Sequence, residues 1–120
     1  MKRKLLTLAT LVLAGCSFLS TEIKTSAVNE SVNIVTERHD SYVEADGTLN
    51  VEQRNEAFGQ AAALRSLLQE SSIVPTVFGV ALGPVSARHD AYVRADAGLS
   101  DLERRTYLRT TAELRALLGN

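Results

Sequence analysis

A chain of 120 residues, 45% apolar and 22% charged, has room for one small domain with a modest core. Thirteen Lys and Arg against fourteen Asp and Glu leave a formal charge of −1, with no basic surplus to neutralise nucleic-acid phosphates. A single cysteine excludes an intrachain disulfide and a cysteine cage for a metal, so stability has to come from packing.

The first element is an N-terminal segment. Lys2, Arg3 and Lys4 precede an uncharged run over residues 5–14, and small residues close it. A bilayer-spanning helix needs about 20 apolar residues, so this run is too short for a permanent membrane helix and has the layout of an export signal. It ends in Leu13-Ala14-Gly15-Cys16, which resembles the lipobox of bacterial lipoprotein signal peptides. The resemblance implies removal of residues 1–15 by a cut between Gly15 and Cys16, diacylation of the Cys16 sulfur and acylation of the new amino group. It also implies an envelope location, at the outer membrane facing the periplasm in a host with two membranes, because Ser17 is not Asp. Two or three acyl chains hold a protein firmly where one holds it marginally. The mature chain would carry ten basic and fourteen acidic residues, net −4, and no polybasic attraction to anionic lipid. The lipid would then supply the attachment, with no other cofactor implied. A plain secretory peptide with an incidental cysteine, and a cytosolic protein with an apolar first helix, are the alternatives.

Residues 16–27 comprise this cysteine and a Ser- and Thr-rich stretch without clear period, which reads as a tether. Behind it the sequence repeats with an offset of 50 residues. Arg38-His39-Asp40-x-Tyr42-Val43-x-Ala45-Asp46 returns as Arg88-His89-Asp90-x-Tyr92-Val93-x-Ala95-Asp96, and across residues 37–70 there are 14 identities in 34 positions. The copies occupy residues 28–70 and 87–120, with an apolar join and the start of the second copy over residues 71–86.

Each copy reads as two helices. Val28, Val32, Val35, His39, Tyr42 and Asp46 fall on one helical stripe, as do Phe78, Leu82, Val85, His89, Tyr92 and Asp96. Gly47 and Gly98 read as the stops. Asn50-x-x-Gln53 and Ser100-x-x-Glu103 then resemble capping boxes opening the second helices, which bury Ala57, Ala61, Leu64 and Leu68 in one copy and Tyr107, Thr111, Leu114 and Leu118 in the other. Short connections make each copy an antiparallel hairpin. The expected fold is therefore all-α: two tandem helical hairpins, most economically a four-helix arrangement with approximate twofold symmetry. Two hairpins in a row, or exchanged between chains, remain open. The join is uncharged from Ile73 to Ala87 and contains Pro84, where a helix is expected to break or kink.

Chemistry concentrates in the repeated block. His39 and His89 lie on the buried stripes, each followed by an acid, Asp40 or Asp90. Brought together by symmetry, these four would offer nitrogen and oxygen ligands to a metal such as zinc, or an acid–base site. Sequence spacing argues against it, since neighbours on a helix diverge by about 100°, and neutral hydrogen-bonded histidines are the simpler reading. Arg38 with Asp46 and Arg88 with Asp96, helped by Arg54, Arg65, Arg104 and Arg115, are expected to form ion pairs that fix the hairpins. The uncharged stretch from Ile73 to Ala87 is a candidate docking or self-association surface. No serine triad, phosphate loop or carboxylate pair with a cleft is evident, so the functional expectation is a membrane-anchored structural or protein-binding module and not an enzyme.

Overall fold

A computed structural model describes residues 22–118. The lipobox, the cleavage position and Cys16 lie outside those residues. The chain runs β1 (Ile23–Lys24), α1 (Thr25–Ala45), α2 (Val51–Ser66), a short 3-10 turn (Leu67–Gln69), β2 (Ser72–Ile73), α3 (Pro75–Ala95) and α4 (Asp101–Ala116).

The duplication dictates the architecture. Ile23 pairs with Ile73 in the two-residue antiparallel ribbon, and at the far end Tyr42 stacks on Tyr92 with ring centroids 5.3 Å apart. Both pairs join one residue to its own repeat, 50 positions on, so both straddle a pseudo-twofold axis. An axis passing through both ends of α1 and α3 makes those two helices parallel neighbours. α2 and α4 return antiparallel to them, and each packs against both central helices. The result is an all-α four-helix bundle with a pseudo-twofold along its length. Hairpin exchange and the row arrangement are unnecessary, because the apolar stripes already meet within one chain.

The core is built from small and branched side chains: Val28, Val32 and Val35 from α1, Ala61 and Leu64 from α2, Phe78, Leu82 and Val85 from α3, and Leu114 from α4. Ile23 and Ile73 close one end of it. That ribbon was not expected, since the stretch through Ala27 reads as tether. The body begins at Ile23 because its side chain and that of Ile73 are buried together. Thr25 locks the entry, donating its hydroxyl to the Glu70 carbonyl at 2.6 Å and its amide to the Ser71 carbonyl. Its repeat partner, Pro75, has no amide to satisfy and suits a first helical turn.

Both capping boxes are present, with Asn50 and Ser100 accepting from the amides of Gln53 and Glu103 while those side chains reach back. The stops differ from expectation. α1 and α3 end at extended residues Asp46 and Asp96, and their carboxylates take the amides of Thr48 and Gly98 two residues on. Neither glycine adopts a left-handed conformation; the two fall at unmatched positions of the repeat because the aspartates make the turn. Pro84 does not break α3, which continues through it to Ala95. Its ring lies on the exposed side of the helix, where the carbonyl of Val80 that loses its partner meets solvent.

Candidate functional site

Below the apolar core the central helices carry a polar layer. His39 and His89 are fully buried, and each ring is clamped from both sides. The His39 Nδ1 lies 2.8 Å from Asp40 Oδ1 and its Nε2 3.1 Å from an Arg88 nitrogen. By symmetry His89 Nδ1 lies 2.9 Å from Asp90 Oδ1 and its Nε2 3.2 Å from Arg38. A guanidinium can only donate, so each Nε2 must carry a lone pair and each Nδ1 the proton that it donates to the carboxylate. Geometry alone therefore fixes one neutral tautomer. Burial holds both histidines below their ordinary value of 6.5. The adjacent aspartate pulls each upward, more weakly, while Arg88 and Arg65 oppose protonation of His39, and Arg38 and His39 that of His89.

This arrangement corrects two expectations and bears on the metal-site alternative. Adjacent His and Asp do meet, because the 100° between neighbours separates Cβ directions and not the tips of two short side chains leaning together. The four groups do not assemble into a metal site: cations occupy the Nε2 faces of His39 and His89, and Asp40 and Asp90 are drawn outward to arginines. Among the described residues there is no cluster of three His, Cys, Asp or Glu side chains able to hold a metal. The ion pairs are also re-partnered. Arg38 and Arg88 cross the axis to the histidines, so Arg38–Asp46 and Arg88–Asp96 do not form. Arg65 instead pairs with Asp40 at 3.1 Å and Arg115 with Asp90 at 2.7 Å. Arg54 and Arg104 donate to the carbonyls of Asp46 and Asp96, capping the ends of α1 and α3.

The copies diverge at this layer. Thr111 donates its hydroxyl to Asp90 at 2.7 Å, and Arg38 lies 3.5 Å over the ring of Tyr107. The matching positions in the first copy are Ala61 and Ala57. Asp90 consequently sits deeper than Asp40, with side chains 4% and 26% exposed. Burial works to raise Asp90, but bonds from His89, Thr111 and Arg115 outweigh it and hold the carboxyl below its ordinary range.

At the end away from the ribbon, Tyr42 donates to Asp96 at 2.8 Å and Tyr92 to Asp46 at 2.7 Å, so each tyrosine clasps the helix end of the other copy. The donated bonds are part of why both carboxyls are depressed, Asp46 through Thr48 first and then Tyr92, and Asp96 through Tyr42 first. Partial burial and then the carboxylate contact push both phenols up to about 12. An ultraviolet titration should therefore show two of the three tyrosines ionising near pH 12. Titration of all three near 10 would contradict the cross-clasp.

The stretch from Ile73 to Ala87 divides into two faces. Ile73, Phe78, Leu82 and Val85 are core, whereas Val74, Val77 and Val80 are exposed. Val77 and Val80, with Thr76, Ala81 and Pro84, form one wall of an open groove of about 560 Å³, facing Gln60, Ala63 and Leu67 of the second helix and its following turn. None of its lining side chains is charged. On the same helix a Cβ at Gly79 would just touch the end of Leu118, whereas nothing lies within 4 Å of one at Gly83.

Chemically, the buried layer is a network of charge-assisted hydrogen bonds closed on itself. Its imidazoles are oriented by aspartates as a general base would be, yet the nitrogen that would meet a substrate is held by a guanidinium in the interior. No family model, curated protein sequence or solved structure matches the chain.

Proposed function

We propose that the protein is a small lipid-anchored module of the bacterial cell envelope with a structural or protein-binding role and no catalytic one. The observation that carries this reading is Leu13-Ala14-Gly15-Cys16 behind a basic and then apolar leader. The fold supports it in two ways. The chain enters the bundle at Ile23, seven residues after Cys16, so the connection spans at most about 25 Å and would keep one end of the body close to the bilayer. Among the described residues no helix is long and apolar enough to cross a membrane, which leaves attachment to the anchor. The crossed Arg–His pairs and the clasped tyrosines use their polar atoms on one another, as a rigid binding or spacing body requires.

Expression in a diderm bacterium tests the reading. Cys16→Ala or inhibition of lipoprotein signal peptidase by globomycin should leave the leader uncut and shift the protein's apparent mass upward. Processing that is unchanged by either treatment would remove the lipid-anchor claim.

A further inference from the structure

We propose that the apolar groove between α2 and α3 is a membrane-seating face: it lies on the bilayer that holds the anchor and gives the bundle one defined orientation there. This inference rests on the anchor reading above and adds an orientation to it.

The molecule contains its own control. The pseudo-twofold gives every residue of α3 a twin in α1 that meets the same packing demands. Val80 is 80% exposed and its twin is Glu30; Val77 is 48% exposed and its twin is Ala27; Val74 is 44% exposed and its twin is Lys24. Across the groove, Ala63 has Glu113 as its twin. The fold thus accepts charge at three of these four positions on the symmetry-related side of the bundle, formed by α1 and α4, and keeps all four apolar on this side, formed by α3 and α2. Packing within the bundle does not call for exposed valines, and an apolar face without an internal reason marks contact with an apolar phase outside.

Placement says which phase. Val74 and Val77 belong to the entry and first turn of α3, immediately after Ile73, which pairs with Ile23 where the tether joins. The groove runs along this helix from Thr76, two residues beyond Val74, to Pro84, about 12 Å, so it occupies the tether end of the bundle. A tether reaching at most about 25 Å keeps this end beside the acyl region for as long as the lipid is inserted. A second copy would meet the face only by collision. With no charge in its lining, the face has no need of anionic headgroups and suits the headgroup–acyl boundary of any phospholipid leaflet, where water still reaches the Val80 carbonyl that Pro84 leaves unpaired.

The test uses the full lipidated protein, whose only native cysteine is consumed by the anchor. Val80→Cys and, separately, its twin Glu30→Cys are labelled with the environment-sensitive fluorophore NBD. Each is reconstituted in vesicles of phosphatidylethanolamine and phosphatidylglycerol with nitroxide lipids labelled high on the acyl chain. Both positions are surface positions, so neither label disturbs the core. The expected result is blue-shifted emission at 80 and quenching several-fold stronger than at 30. Equal quenching at the two sites overturns the proposal. So does a label at 80 shielded from both water and nitroxide, which would assign the face to a second copy. Flotation with the vesicles separates the two claims: if both variants float and quench equally, only the orientation fails, and if neither floats, the anchor fails and the orientation with it.

Discussion

Asp90→Ala is expected to destabilise the bundle by about 2–4 kcal/mol, and the symmetry-related Asp40→Ala by about 1–2 kcal/mol, from a cost of roughly 1–3 kcal/mol per buried polar group left unsatisfied. The Asp90 carboxylate receives the His89 ring N–H, the Thr111 hydroxyl and the Arg115 guanidinium, and is almost fully buried. Removing it strands the ring proton in a dry interior. His89 cannot escape by moving that proton to Nε2, because Arg38 presents a donor there. At Asp40 the third donor is missing, since Ala61 replaces Thr111, and water reaches the partly exposed carboxylate site. Urea unfolding of the two variants measures the difference, and equal costs would mean that the layer is not graded as the geometry has it.

Stability is expected to fall as pH drops below about 6.5, before most carboxylates titrate. Both histidines have folded values below 6.5, so between that value and their folded values the unfolded chain binds more protons than the bundle. Stability therefore rises with pH through this window and is lost on acidification. Two protons set the ceiling on the slope, about 2.7 kcal/mol per pH unit. The depressed carboxyls of Asp46, Asp90, Asp96 and Glu103 act in the same direction but below their ordinary values of 3.8 to 4.5. The interval from 6.5 to 4.5 thus belongs chiefly to the imidazoles. Denaturation midpoints measured across it should slope steeply for the native protein and flatten in the double variant His39→Gln, His89→Gln. A native profile as flat as that of the double variant would contradict neutral clamped histidines.

The helical hairpins, the capping boxes and the twofold were legible because each leaves a periodic or local mark in the sequence. The 50-residue offset carried most of it, since a gene-level duplicate whose copies each bury one face has few ways to do so. Distances across the axis were not legible. Arg38 stands beside His39 in the chain, yet the histidine it serves is His89, a crossing that follows only once α1 and α3 are known to be parallel and in register. The one signal for it was the repeated Arg-His pair itself: in a parallel twofold pair, a residue one step before a central residue can reach the other copy's version of it. Ile23 and Ile73 also match at an offset of 50, which marked the ribbon inside a stretch that composition alone reads as tether. The glycines misled because the turn chemistry resides in Asp46 and Asp96, conserved between the copies, while Gly47 and Gly98 are not at matching positions. Pro84 leaves α3 unbroken because a proline's effect depends on which side of the helix loses the bond, and its side lies outside the packed core.

The account of function turns on the chemistry at residue 16. Intact mass and N-terminal peptide mass spectrometry of the protein recovered from a bacterial membrane fraction should show a chain that starts at Cys16 and carries a diacylglyceryl group on its sulfur. A chain retaining Met1, or one with a free thiol at Cys16, would contradict it.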